Sequence, residues 1–291
     1  MTLGAQVADE RLDAAPLALA QDLFAGRTVL VSGGGSGIGK ATAWLFGRLG
    51  ASVAICGRSV ERLAPVEAAM VKRGWPALSA RVDIRQAPEV AALFDAVQQR
   101  FGGLDVLVNN AGGQFAQAAI DMSANGWRAV IDTNLTGSWL MMQQAARHWI
   151  EAGRGGVIVN VTASGARGMP GIIHSSAARA GVTNASRTAA IEWAPHDIRV
   201  NCVAPGLIDS GGLAVYSPQA RRNFSRANPQ GRMGDPWDAA QIIAFLSCDA
   251  AKFMTGATVE VDGGGAIWGD LWTIERPSYF EDTNQSSHND L

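Results

Sequence analysis

Residues Thr28-Val29-Leu30-Val31-Ser32-Gly33-Gly34-Gly35-Ser36-Gly37-Ile38-Gly39 pass from a short β-branched, apolar run directly into a glycine cluster. Thr28–Val31 reads as a strand buried on both faces, and Gly37–Leu49 as the helix that follows it. Glycines between a strand and a helix let the backbone turn tightly and come close to a ligand. The first amides of the helix, and the positive end of its dipole, then face an anion such as a pyrophosphate. The spacing is Gly-x-x-x-Gly-x-Gly (Gly33, Gly37, Gly39, with Gly35 and Ser36 between), not the common Gly-x-Gly-x-x-Gly dinucleotide loop.

The same alternation continues on the C-terminal side. Residues 52–56, 77–82, 106–108, 157–161, 199–203 and 258–261 read as further strands. Residues 60–72, 88–101, 127–150, 176–193 and 236–247 read as helices. Near-continuous apolar strands alternating with helices imply parallel pairing through right-handed crossovers. The predicted fold is therefore α/β: a Rossmann-type, doubly wound parallel sheet of about seven strands with helices on both faces. Residues 26–265 make one domain in this reading, between an N-terminal extension (1–25) and a C-terminal tail (266–291).

Composition narrows the function. With 291 residues, 47% hydrophobic and 17% charged, the chain is neither disordered nor a charge-laced helical array. Twenty-four basic against 26 acidic residues leave a net charge of −2 and no basic run, which argues against nucleic acid as a partner. Cys56, Cys202 and Cys248 have no metal-ligand spacing and read as small buried hydrophobes in a reducing compartment, so no metal site is expected. The absence of a signal-like start, and of any apolar run of about 18 residues, leads to an expectation of no membrane span and a cytoplasmic location.

The second strand ends Cys56-Gly57-Arg58. An acid near this position bonds the ribose 2′-hydroxyl of NAD. Gly57 stands there instead, and the planar fork of Arg58 suits a 2′-phosphate, so the expected cofactor is NADP(H). The alternative is that Arg58 only begins a solvated helix.

Several motifs in order now carry a resemblance: the glycine loop, Asp83, Asn109-Asn110-Ala111-Gly112, Asn134, Pro205-Gly206 and Asp262-Gly263-Gly264. Over about residues 25–265 the sequence resembles the short-chain dehydrogenase/reductase family. The resemblance implies that Asp83 and Ile84 meet the adenine. It implies that Asn110, Ala111 and Gly112 line the ribose side. Pro205 and Gly206, with the backbone of Leu207 and Ile208, would meet the nicotinamide carboxamide. The family's reaction uses a Ser, a Tyr and a Lys; at those positions this chain carries Thr162, Ser175 and Arg179. A serine is a far poorer acid than a phenol, and an arginine stays protonated. Oxidising an alcohol requires a base, whereas hydride addition to a conjugated thioester requires only donors for the enolate oxygen. The altered set therefore points to conjugate reduction.

The strings Asn110–Phe115, Gly126-Trp127, Thr133–Gly137 and His174–Val182 look like the peroxisomal trans-2-enoyl-CoA reductase subgroup, with 2,4-dienoyl-CoA reductases near it. That likeness implies a small-molecule substrate of the acyl-CoA type. Carbonyl reduction or alcohol oxidation by Ser175 with His174 stays open, as does a cofactor-binding subunit without catalysis. Arg179 can still hold ribose hydroxyls, and Asn134 either orders a water chain or kinks its helix. Tyr216, in the segment that covers substrate in the family, is an alternative proton donor. Arg221, Arg222 and Arg226 are candidates for the CoA phosphates. Trp127, Trp139, Trp149 and Trp193 are expected at the subunit interface of a homotetramer, and Trp268 and Trp272 over either a neighbouring active site or the domain's own lid.

Overall fold

The computed structural model describes residues 7–164, 168–211, 213, 216 and 224–268. Seven strands form one parallel sheet: β1 (Thr28–Ser32), β2 (Ser52–Gly57), β3 (Ala77–Arg81), β4 (Val106–Asn109), β5 (Gly156–Val161), β6 (Ile198–Pro205) and β7 (Thr258–Val261), in the order β3-β2-β1-β4-β5-β6-β7. Val29 pairs with Val53 on one side and Val106 on the other. The period-2 pleat sends alternate residues to opposite faces. Val29, Val31 and Ile55 enter one core layer, while Leu30, Ala54 and Ile158 enter the other.

Helices cover both layers. On the first face lie α2 (Gly37–Arg48), α3 (Val60–Lys72) and a C-terminal helix (Pro236–Ser247, numbered α8 below). On the second lie α4 (Ala87–Phe101), α5 (Ala124–Ile131), α6 (Gly137–Glu151) and α7 (Ile173–Glu192). The α8 start carries a full capping box, with Asp235 and Asp238 bonding each other's backbone amides and Pro236 in the first turn.

Three expectations change. The stretch 127–150 is not one regular helix: a π-helical turn, Asp132–Thr136, separates α5 from α6. Periodicity cannot reveal it. Its cause lies in side chains that bond backbone, Thr133 to the Ala129 carbonyl (2.8 Å) and Ser138 to the Asn134 carbonyl (2.9 Å), and in Asn134 being held by another loop. The helix expected from Ser176 begins at Ile173, which places Ser175 and Arg179 one turn apart on the same face. Trp149 is not an interface residue but fully buried core, its indole N–H bonded to the Leu104 carbonyl at 2.6 Å. Trp139 and Trp193 stack on each other with centroids 6.3 Å apart, and Trp127 and Trp139 are exposed on this protomer.

The segment ahead of β1 is built into the domain. Helix α1 (Asp9–Ala14) buries Leu12 against α2. Asp9 pairs with Lys40 (2.6 Å), Asp13 accepts from the Trp44 indole (2.9 Å) and from Arg73 (2.5 Å), and Arg48 donates to the Leu12 and Ala15 carbonyls. The Trp237 indole of α8 bonds the Pro16 carbonyl. Among the described residues no helix is long and apolar enough to cross a membrane.

Candidate active site

The sheet order reverses between β1 and β4, and the carboxyl ends of these strands are where an open α/β sheet leaves a crevice for ligand. A cavity of about 800 Å³ lies there. Gly33 has φ +71°, and a Cβ on it would come within 2.8 Å of the Asn110 amide nitrogen. Gly39 does not line the cavity; its missing Cβ makes room for the Gly33 carbonyl, which would stand 2.3 Å away. The N-cap of α2, Ser36, makes no side-chain cap bond, and the first turn contains no acid. Its amides are thus left for an external anion.

The loop after β4 is strapped to this turn. Ser32 Oγ accepts from the Asn110 and Ala111 amides (3.1 and 3.0 Å), and the Asn110 side chain donates back to the Ser32 carbonyl at 3.0 Å. Gly33, Gly35, Ser36, Gly37, Ile38, Arg58, Asp83, Ile84, Asn110, Ala111, Gly112, Pro205, Gly206 and Ile208 all border the cavity. Leu207 does not; it lines a separate cleft beside Arg232 and Asp238. The Asp83 carboxylate is gripped by Arg85 at 2.5 Å, which holds it below the usual carboxylate range. Ser59 and Arg62 join Arg58 on the cavity wall. A glycine cradle, a free helix start and a basic pair beyond β2 fit an extended, phosphorylated dinucleotide. Cys56 also borders it, but burial pushes its thiol up to about 12, so it is inert.

The Asp262-Gly263-Gly264 motif is a strut. Asp262 accepts from Ser164 Oγ at 2.8 Å and from the Gly264 and Ala266 amides, joining the end of β5 to the end of β7 across the Pro205-Gly206 turn. A Cβ on Gly206 would meet that of Asp262 at 2.7 Å.

At the far end of the cavity the expected catalytic residues separate into two groups. Thr162 and Arg179 face it. Thr162 Oγ1 makes only a 3.2 Å bond to the Val203 carbonyl. Arg179 donates to the Val161 carbonyl at 2.7 Å, and no carboxylate among the described residues pairs with it; burial lowers its pKa to about 10. Ser175, His174 and Asn134 lie behind the wall, each with side chains 1% exposed or less. His174 Nδ1 accepts the Ser175 backbone N–H (2.8 Å) and its ring stands edge-on to Phe115, so it makes no bond to Ser175 Oγ. Asn134 clamps Gly113 through both its N–H (2.9 Å) and its carbonyl (3.0 Å).

Gln114 was missed as a site residue. It borders the cavity, accepts from Ser175 Oγ at 2.8 Å and donates to the Tyr216 hydroxyl at 2.7 Å. Its only sequence signal was its place in the Asn110–Phe115 string. Tyr216, named from the sequence as an alternative proton donor, thus stands one side chain away from Ser175, on a Gln114 that lies 102 residues from it in the chain. Arg221, Arg222 and Trp272 lie outside the described residues; Arg226 sits in the short helical turn Phe224–Ala227.

Residues 33–265 match the family model described as enoyl-(acyl carrier protein) reductase. Cis-4-hydroxycyclohexanecarboxylate dehydrogenase from Sinomonas cyclohexanicum is 41% identical over 84% of this chain and 98% of its own. The peroxisomal 2,4-dienoyl-CoA reductase of Arabidopsis thaliana is 38% identical over 85% of this chain and 86% of its own. Among solved structures, the citronellol catabolism dehydrogenase AtuB of Pseudomonas aeruginosa superposes with a TM-score of 0.76 at 36% identity, covering 86% of this chain and 98% of that one.

Proposed function

Because the chain belongs to the short-chain dehydrogenase/reductase family, we propose that this oxidoreductase uses NADPH to saturate the carbon–carbon double bond of a conjugated acyl thioester of the enoyl-CoA kind. One observation carries the reading: Thr162, Gln114 and Arg179, which border the far end of the cavity, are hydrogen-bond donors and a cation, and none of the three can take the proton of an alcohol. When bound, the nicotinamide supplies hydride. Charge then develops on the thioester oxygen, and Thr162 can exchange its long bond to Val203 for that oxygen. The Gln114 carboxamide has a second N–H beyond the one given to Tyr216, and Arg179 adds a fixed positive charge nearby. Such a set stabilises an oxyanion without protonating it, which suits an enolate better than an alkoxide.

For the cofactor, the support is Gly57 where an acid would bond a 2′-hydroxyl, with Arg58 and Arg62 beside it. The name of the Arabidopsis thaliana relative supports the substrate class. We further take the working form to be a cytoplasmic homotetramer, for which exposed Trp127 and Trp139 on adjoining helices are the support.

Carbonyl reduction or alcohol oxidation is the second reading, favoured by the phenol of Tyr216 one amide away from Ser175 and by the dehydrogenase names of two relatives. Steady-state assays with NADPH and NADH against a panel of 2-enoyl-CoA and 2,4-dienoyl-CoA esters, and in parallel against cyclic and terpenoid alcohols and aldehydes, separate the two. NADPH-dependent turnover of the thioesters is expected. Turnover confined to the alcohols and aldehydes would reject the first reading.

A further inference from the structure

Four side chains form a hydrogen-bond chain with a direction, running from Asn134 and Ser175 behind the cavity wall to Gln114, which borders the cavity, and on to Tyr216. Asn134 is fixed first: its Oδ1 accepts the Gly113 N–H at 2.9 Å and its Nδ2 donates to the Gly113 carbonyl, so the amide cannot be turned over without losing both bonds. The same Nδ2 points at Ser175 Oγ, 3.5 Å away. The Ser175 hydroxyl passes its own proton to Gln114 Oε1 at 2.8 Å. Gln114 therefore presents Nε2 to the Tyr216 oxygen at 2.7 Å. In this chain the phenol oxygen is an acceptor, and among the described residues nothing accepts its O–H proton.

Tyr216 is held in place as well as polarised. Its backbone N–H bonds the Leu213 carbonyl at 3.1 Å, its ring stands edge-on to Phe224 with centroids 5.4 Å apart, and Leu213 itself borders the cavity. Burial raises the phenol's pKa, which keeps the proton on it at neutral pH, while the Gln114 N–H favours the phenolate once the proton has left. No charged group among the described residues acts on it.

We propose that Tyr216 donates the proton to the substrate carbon, with Gln114 as its positioning residue, so that the phenol missing from α7 is replaced by one from the segment after β6. The proposal rests on the thioester-reductase reading above. The β-carbon receives hydride with its electron pair from the dihydronicotinamide. The double-bond pair moves to the α-carbon and thioester oxygen as an enolate. The enolate then forms a carbon–hydrogen bond with the Tyr216 proton, and the electron pair of the broken O–H bond stays on the tyrosine oxygen, bonded by Gln114 Nε2. Water restores the phenol.

Tyr216→Phe tests the donor, and Gln114→Leu the coupling. Reduction of an enoyl-CoA in D2O by the parent enzyme places deuterium at the α-carbon on a single face. In Tyr216→Phe, kcat is expected to fall ~100-fold, NADPH affinity by fluorescence titration to stay at the parent value, and the α-deuterium to appear on both faces. Unchanged kcat with single-face labelling overturns the proposal. A second readout needs no substrate: the chain has two tyrosines, so the tyrosinate absorbance titration of the parent minus that of Tyr216→Phe isolates the Tyr216 step. Gln114→Leu should move that step to higher pH, and a superimposable titration would refute the coupling. Failure of the parent to reduce any conjugated thioester would instead reject the function reading, with the titration still judging the Gln114–Tyr216 pair.

Discussion

Replacing Arg179 with methionine should make the protein more stable and a worse enzyme at once. Burial pushes the guanidinium down to about 10, more than two pH units below its ordinary value, and among the described residues no carboxylate pairs with it. At ~1.36 kcal/mol per pH unit that displacement corresponds to roughly 3 kcal/mol spent on keeping the charge inside the folded protein. Part of the side chain borders the cavity, where solvent screens it, which reduces the figure to about 2 kcal/mol. Methionine keeps the apolar stem but gives up the bond to the Val161 carbonyl, worth about 1 kcal/mol. The net expectation is a gain of about 1 kcal/mol, or a Tm rise of about 2–4 °C for a domain of this size.

The sign with pH follows from the direction of the shift. A cation whose pKa is lower folded than unfolded destabilises the fold at every pH below its folded value, and the penalty disappears only as pH climbs through about 10. The Tm difference between variant and parent should therefore be flat from about pH 6 to about pH 9. Thermal unfolding of the cofactor-free proteins measures the gain. A fluorescence titration with NADPH should show affinity at least ~10-fold weaker, the loss of one charge-assisted contact. A cofactor-free variant that melts below the parent would refute the reasoning, because it would mean that the guanidinium is held by its contacts rather than tolerated for its function.

Two further outcomes follow from packing. In Gly112→Ala the new Cβ would stand 2.1 Å from Arg179 Nη2 and 3.1 Å from Asn134 Oδ1, so kcat/KM should fall by ~10-fold or more, whereas Gly113→Ala, with nothing within 4 Å, should bind NADPH like the parent; equal effects in the two variants would contradict the crowding described for Gly112. Trp149→Phe leaves the buried Leu104 carbonyl without its donor and should lower urea stability by about 2–3 kcal/mol while the elution volume on size exclusion stays constant; a changed oligomeric state with intact stability would return Trp149 to the interface.

The nucleotide half of the site was legible because its physics is local. Gly33 to Gly39 lie on one turn, the missing acid at Gly57 lies at the end of the next strand, and Asn110 to Gly112 follow directly from β4. Fixed short spacings translate into fixed positions around one crevice. The substrate half was not legible in this way. Gln114, Ser175 and Tyr216 meet only after the chain has crossed the sheet, and neither the distance from Gln114 to Tyr216 nor the burial of Ser175 is written in any periodicity. The π-turn at Asp132–Thr136 was hidden for a related reason: the bonds of Thr133, Asn134 and Ser138 set it, against a pattern that still reads as regular helix. Residues 7–16 were set outside the domain because they add no strand, yet their anchors are single side chains, Asp9, Leu12 and Asp13, that a search for repeating units passes over.

Those anchors tie the leading residues to Lys40, Trp44 and Arg48, all on the helix whose opening amides face the phosphates. Engineering at that end is therefore never neutral ground. A purification tag abutting Asp9, or a trimmed start meant only to aid crystals, would tug on the same rod that greets the dinucleotide, and would register at the bench as a weakened grip on cofactor in a protein whose pocket has not been touched.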